Sequence, residues 1–262
     1  MKDGLFYRVG HQLMAAINYL GKLFLFFIDI CGSLLSPPWY LRQITAQMYH
    51  LGVRSYVLVS LVSFAVGMIL AMQGIKVLKL FGAANFVATS VAFAFVRVMG
   101  PIIAGIMSAS RLGAGIAAEL GAMRVSKQID ALTVSAVDPM KYLVVTRVVA
   151  CMLILPLMAV FSNIIGIMGG MFIGVTKEGM TVANYYKMTV KFLTLEDVLP
   201  GIFKTEIFGI IIGTVACFHG YTTTHGTFGV GRSTRVAVVA ATIMVIISDV
   251  ILTNFGFFLW PR

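Results

Sequence analysis

The sequence predicts an all-α integral membrane protein, and three observations carry that expectation: its composition, the length of its apolar runs, and the glycine rows inside them. Of 262 residues, 59% are hydrophobic and 11% charged, with a mean hydropathy of +0.95. A soluble domain is about half apolar and a quarter charged. Five runs reach the roughly 20 apolar residues that a bilayer-spanning helix needs, at about 55–76, 86–110, 142–175, 198–219 and 236–259. Gly166, Gly170 and Gly174 in the third run, and Gly209 with Gly213 in the fourth, recur at spacing four. Such rows let helix backbones approach closely, within one chain or between subunits.

Taken in order, residues 1–54 form an N-terminal region distinct from the five-span domain, 55–262. Its apolar core LFLFFIDICGSLL, from Leu23, is too short to span, carries Asp29, and is not followed by a small-residue cleavage site. It is expected to be retained as an interfacial or re-entrant helix. In SPPWYLRQITAQMYHLGVRS, Ser36 and Pro37 resemble an N-cap and first turn, with Leu41, Ile44, Met48 and Leu51 at helical spacing. Arg42, Gln43, Gln47, His50 and Arg54 fall opposite, and Trp39, Tyr40 and Tyr49 flank them. This pattern predicts an amphipathic helix at the membrane surface.

Among the spans, Gly100-Pro101 should break the second and mark a kink or a widened cavity. The third, about 50 Å long at 1.5 Å per residue, must tilt, kink near Pro156 or project beyond the hydrocarbon. Asp138-Pro139 supplies its N-cap and first-turn proline. GTFGVGRSTR, 226–235, is expected to be a turn between the fourth and fifth spans.

With the N-terminus in the cytoplasm, that side holds Lys2, Arg8, Lys22, Arg42, Arg54, Arg111, Arg124, Lys127, Lys141, Arg147, Arg232 and Arg235. The other side holds Lys76, Lys79, Lys177, Lys187, Lys191, Lys204 and Arg262, so the bias favours a cytoplasmic N-terminus and an external C-terminus. These residues are scattered in ones and twos, without the cationic stripe that nucleic acid binding requires. The net charge of +10 therefore reads as topology and headgroup contact. Cys31, Cys151 and Cys217 lie far apart in apolar segments as small core hydrophobes. His11, His50, His219 and His225 form no metal-ligand spacing, so no metal and no cofactor is expected in this chain. No GxxxxGK[ST] occurs either, which leaves the chain without a P-loop.

The ionisable groups within the spans are the stronger clue, because a charge near the bilayer centre costs at least ~2.5–3.5 kcal/mol. Arg97 lies midway along the second span and Asp249 midway along the fifth, at depths that permit a contact between them. Lys204 and Glu206 sit nearer the outer end of the fourth span, and Asn163 is polar in the third. Two readings stand: a buried pair that fixes bundle geometry, or a polar patch lining a cavity in which Arg97 and Lys204 meet an anionic headgroup. The sixteen methionines suit either packing or adaptable walls for acyl chains.

Between the second and third spans, about 111–139, the chain turns to mixed charge. Leu120, Met123 and Ile129 anchor a helix whose neighbours Glu119, Arg124, Lys127, Gln128 and Asp130 are polar, with Lys127 and Asp130 at i, i+3. Such a helix lies on headgroups or its own bundle, or docks in the groove of a soluble partner.

GPIIAGIMSASRLGAGIAAELGAMRVSKQIDALTVSAVDPMKYLVVTRVVA, 100–150, resembles the signature region of the MlaE-type permeases, the membrane subunits of ABC transporters that move lipids with MCE-domain proteins. AMQG at 71–74, HGY at 219–221, GVGRSTRVAVV at 229–239 and SDVILT at 248–253 extend the similarity from about Gln47 to the C-terminus. The N-terminal 45 residues resemble the family only in character. The resemblance implies a homodimer in the bacterial inner membrane, each copy with five spans, an N-terminal interfacial helix and a cytoplasmic coupling helix. That helix docks an ABC ATPase, which uses ATP and Mg and has room for a small STAS-type regulatory subunit. It further implies a hexameric periplasmic MCE-protein ring, phospholipid as cargo, and a part in outer membrane lipid asymmetry. The coupling block falls on Glu119, Leu120, Gly121, Met123 and Arg124, continuing to Gln128 and Asp130. The lipid cavity falls on Leu78, Phe81, Arg97, Lys204 and Asp249. Where the family pattern has an acid directly after the arginine, this sequence has Val98, so Asp249 or Glu206 is expected to balance Arg97, or the cavity is more positive.

These features together describe a transport subunit that performs no covalent chemistry. Two other classes are set beside it. A membrane-embedded lipid enzyme would need convergent His, Asp or Ser at one depth, which the sequence does not offer. An ion-coupled secondary transporter would use Arg97 and Asp249 but leave the coupling segment without a purpose.

Overall fold

The computed structural model describes residues 5–83, 86–224 and 226–259, and among them it contains helices and no strands. Lys2, His225 and Arg262 lie outside the described residues, as do the side chains of Arg8 and Arg54. The helices are α1 (Leu5–Leu34), α2 (Leu41–Leu80), α3 (Val87–Ala94), α4 (Gly100–Val125), α5 (Gln128–Val134), α6 (Thr146–Glu178), α7 (Val182–Phe192), α8 (Leu195–Tyr221) and α9 (Gly226–Leu259). Two π-helical turns, Phe95–Met99 and Met140–Val145, join α3 to α4 and lead into α6.

Cross-contacts fix which ends meet. Lys79 pairs with Glu178 at 2.8 Å, and Thr89 donates its hydroxyl to the Met188 carbonyl at 3.0 Å, so the end of α2, the start of α3, the end of α6 and α7 share one end of the bundle. At the opposite end the Arg124 guanidinium lies 5.8 Å from the Tyr221 ring, and Tyr40 packs edge-on against Tyr142 at 5.1 Å. These are called below the Lys79 end and the Arg124 end.

Backbone approach holds α2 on α6. A Cβ added at Gly67 would strike the Gly166 carbonyl, and one at Gly169 would strike the Phe64 carbonyl. Ser63 and Ser162 share a hydroxyl hydrogen bond of 2.7 Å beside that crossing. In lipid, where apolar surface gains little by leaving the solvent, such close packing and hydrogen bonding replace the hydrophobic drive. The second glycine row serves the same end: a Cβ at Gly209 would lie 2.6 Å from the Cys151 carbonyl, seating α8 on α6. Both rows are thus used inside the chain. Tyr185 of α7 caps the first row against Gly170 and Gly174, and burial pushes its phenol above its ordinary pKa.

Several boundaries differ from the sequence expectation. The surface helix expected at 36–54 and the first span are one element, α2, about 60 Å long at 1.5 Å per residue. It begins at Leu41 rather than Pro37, and Gly52 does not interrupt it because the glycine is the gap that accepts Ile154 of α6. GTFGVGRSTR is not a turn but the first turns of α9, secured where Ser233 donates to the His219 carbonyl at 2.7 Å and shares a 2.9 Å bond with Thr223. The mixed-charge segment is not one surface helix. It comprises the last turns of α4, a turn with Lys127 at φ +62°, and the short α5. The cap at the third span is where it was expected, with Asp138 accepting the Met140 N–H at 2.9 Å.

Among the described residues, six helical stretches are long and apolar enough to cross a membrane by length and composition, one more than the five expected; the sixth is Leu13–Leu34 of α1. Among its described side chains, that helix buries only the stripe Leu23, Phe26 and Ile30. Its ring contacts, Tyr19 with Phe218 and His219 and Phe26 with Phe218 and Tyr221, all fall at the Arg124 end. Leu13, Met14, Ile17, Phe24 and Leu25 are exposed on its other side.

If backbone contact at Gly67 holds α2 on α6, Gly67→Ala should lower thermal stability in detergent by about 1–3 kcal/mol, the usual cost of overpacking. Gly113→Ala, whose added Cβ meets nothing within 4 Å, should instead hold or raise stability, by up to about 1 kcal/mol, the helix preference of alanine over glycine.

Candidate functional site

A charge cluster is built around one proline. Pro101 has no N–H to return to the carbonyl of Arg97, four residues earlier, so the helix there shifts to π geometry, with the Gly100 N–H bonding the Phe95 carbonyl. The Arg97 carbonyl instead accepts from the Lys204 ammonium of α8 at 3.4 Å. Lys204 also donates to Thr253 at 2.6 Å and to Asp249 at 3.4 Å, both on α9. Lys204 and Asp249 are each about 5% exposed. A buried ion pair of this kind survives only because further hydrogen bonds satisfy its remaining valences.

The three positions lie at one depth. Arg97 is ten residues from the start of α3, Lys204 nine from the start of α8, and Asp249 ten before the end of α9. At 1.5 Å per residue each is about 14–15 Å from the Lys79 end.

Arg97 does not pair with Asp249 or Glu206, as the sequence led us to expect. Its guanidinium is bonded to Asp197, with Nε donating to Oδ1 at 3.0 Å and Nη2 donating to the same oxygen. Asp197 is the third residue of α8, and its other oxygen accepts the backbone N–H and hydroxyl of Thr194 at 3.0 and 2.8 Å. The capping box thus divides one carboxylate between the helix terminus and the arginine. Thr194-Leu-Glu-Asp was a legible capping signature, but nothing in the spacing aimed its acid at Arg97. The acid that Val98 does not supply comes from a different helix.

The remaining cavity candidates are dispersed. Leu78 packs against the core formed by α2, α3 and α6, while Phe81, just beyond α2, is 77% exposed. Val98 is half-buried in the π turn. The Arg97 side chain itself is 40% exposed, lying 5.1 Å from the Phe93 ring centroid. The cluster therefore has a satisfied, buried half in Lys204 and Asp249, and an accessible half in Arg97. Gly100 sits against the Asn163 side chain of α6, which brings the polar residue of the third span to the same turn.

At the Arg124 end, Leu120 and Gly121 are buried inside the bundle, Met123 and Arg124 are half-buried, and Gln128 and Asp130 are exposed. Arg124 donates to Asp130 at 2.9 Å, and Lys127 approaches the same carboxylate at 3.4 Å, folding α5 back on α4. Glu119 is bonded to Arg147 of α6 at 2.7 Å. The exposed surface of this segment is therefore the turn, the outer side of α5 and the stripe of α4 that carries Arg111, Gly115, Glu119 and Ala122. Among the described residues, no group of three or more His, Cys, Asp or Glu side chains gathers as a metal site would.

Comparison with known proteins adds independent findings. The family described as Permease MlaE matches residues 44–255. A probable ABC transporter permease protein of Rickettsia conorii is 38% identical over 249 residues, covering 95% of this chain and 96% of its own. A probable ABC transporter permease protein of Synechocystis is 33% identical over 242 residues, covering 92% and 89%. The intermembrane phospholipid transport system permease protein MlaE of Haemophilus influenzae is 29% identical over 254 residues, covering 95% and 96%.

The geometry of the cluster separates its two acids. Asp249→Leu should destabilise the chain by about 3–5 kcal/mol in detergent unfolding, because it strands a buried ammonium, and adding Lys204→Met should recover most of that loss. Asp197→Asn, which removes a buried carboxylate but leaves the partly exposed arginine able to reach water, should cost less, about 1.5–3 kcal/mol.

Proposed function

This chain belongs to the MlaE permease family, and from that premise we propose that it is the membrane subunit of an ABC transporter that moves phospholipid between the inner membrane and a periplasmic MCE-domain protein. The observation that carries the reading is the accessible Arg97 guanidinium beside a neutralised Lys204–Asp249 pair, placed at one depth in an otherwise apolar bundle. An arginine left partly open presents a planar donor fork suited to a phosphodiester. The exposed Phe81 and the apolar faces around it suit acyl chains.

The Lys79 end is then periplasmic and the Arg124 end cytoplasmic, in accord with the bias in basic residues. On this reading α1 lies along the cytoplasmic face, with Leu13, Ile17 and Phe24 in lipid. Two copies enclose the cavity, a hexameric MCE ring sits above it, and the Gln128 and Asp130 surface meets the ATPase, with or without a STAS-type subunit. ATP and Mg belong to that partner. Keeping phospholipid out of the outer leaflet, and so maintaining outer membrane lipid asymmetry, is the cellular role this activity would serve.

A photo-reactive phospholipid should crosslink at Phe81 and Arg97 in the purified complex, and Arg97→Ala should reduce the yield about tenfold, as loss of a charge-assisted bidentate contact implies. Wild-type crosslinking in that variant would confine Arg97 to a structural role. Arg124→Glu should weaken retention of the ATPase in mild detergent while the permease stays folded. Unchanged retention would remove the segment 111–139 from the docking surface.

A further inference from the structure

Arg147 is the least expected residue of the Arg124 end. It is about 2% exposed, yet it carries a full charge as the second residue of α6, at that helix's cytoplasmic end. Nη1 donates to the Leu143 carbonyl at 2.9 Å, Nη2 donates to Glu119 at 2.7 Å, and Nε has no partner. Leu143 belongs to the π turn Met140–Val145, so the guanidinium bonds both the irregular start of α6 and the last turns of α4. The Glu119 carboxylate, in contrast, is 48% exposed.

This asymmetry matters physically. A buried cation depends on its single carboxylate, and that carboxylate is the only member of the pair a docking protein can reach. A cation brought up by a partner competes for Glu119, and any displacement of the acid is felt at once by Arg147, which cannot turn to water. We propose that Arg147 is a positioning residue for energy coupling: it converts occupancy of the ATPase-facing segment at Glu119 into a shift of the π turn at the start of α6. The same helix carries Asn163 against Gly100 at the base of the charge cluster, the glycines against which α2 sits, and the Cys151 backbone on which Gly209 of α8 rests, so a movement of α6 reaches the lipid site through packed contacts. The inference rests on the ATPase-docking reading of 111–139, and adds to it a residue that does not itself touch the partner.

The test uses the complex of the full chain with its ATPase in proteoliposomes, comparing the parent with Arg147→Met and Arg147→Lys. Three quantities are read: affinity for the ATPase, ATP hydrolysis, and labelled phospholipid moved per ATP. In Arg147→Met, affinity and hydrolysis should stay within about threefold while lipid moved per ATP falls about tenfold, the scale of ordinary site-to-site coupling. Arg147→Lys, which keeps the charge, should recover most of the ratio. An unchanged ratio in Arg147→Met overturns the proposal, and so does a ratio that falls only in step with ATPase affinity. If the methionine variant does not fold, Arg147→Gln replaces it, with the same outcomes deciding. Failure of the parent chain to retain the ATPase would instead sink the docking reading itself.

Discussion

The missing N–H of Pro101 is the constraint on which the rest of the candidate site depends. It leaves the Arg97 carbonyl without its helical partner, and in a bilayer an unpaired carbonyl is costly enough that something must answer it. Lys204 does so, and its charge then requires Asp249 and Thr253. The π turn that accompanies the proline holds Arg97, whose side chain reaches the capping box of α8. One absent proton thus ties three helices together at a common depth and leaves one guanidinium facing outward.

The scaffold around this cluster is fixed by backbone contacts rather than by burial of apolar area. The crossing of α2 and α6 at Gly67 and Gly166, and that of α6 and α8 at Gly209, place α6 at the centre of the molecule. Because α6 carries Arg147 at its start and Asn163 at its middle, both polar sites are anchored to one continuous helix. Under the proposed function, this arrangement would let α6 relay a conformational change between the docking surface and the cavity.

Much of this was legible in the residues. Composition and run length gave the membrane class, the spacing of Gly166, Gly170 and Gly174 gave a packing face, and Asp138-Pro139 marked the start of the third span. Arg97, Lys204 and Asp249 stood out because charge in hydrocarbon requires a reason. Which acid serves which base was not legible. Asp197 lies a hundred residues from Arg97, and its capping role accounts for only one of its oxygens. The limits of α2, α4 and α9 were missed for a related reason. Hydropathy marks where lipid ends, but a helix continues into the headgroup region wherever neighbouring helices still cover it, as they cover Gly52, Leu120 and Ser233.

The most direct test of the central claim is phospholipid transfer in proteoliposomes holding this chain with its ATPase and MCE protein, measured while ATP and the proton gradient are varied independently. A lipid permease driven by a partner ATPase predicts transfer that stops without ATP hydrolysis and persists when the gradient is collapsed. Transfer that persists without the ATPase, or that disappears with the gradient while ATP is still being hydrolysed, would contradict the account.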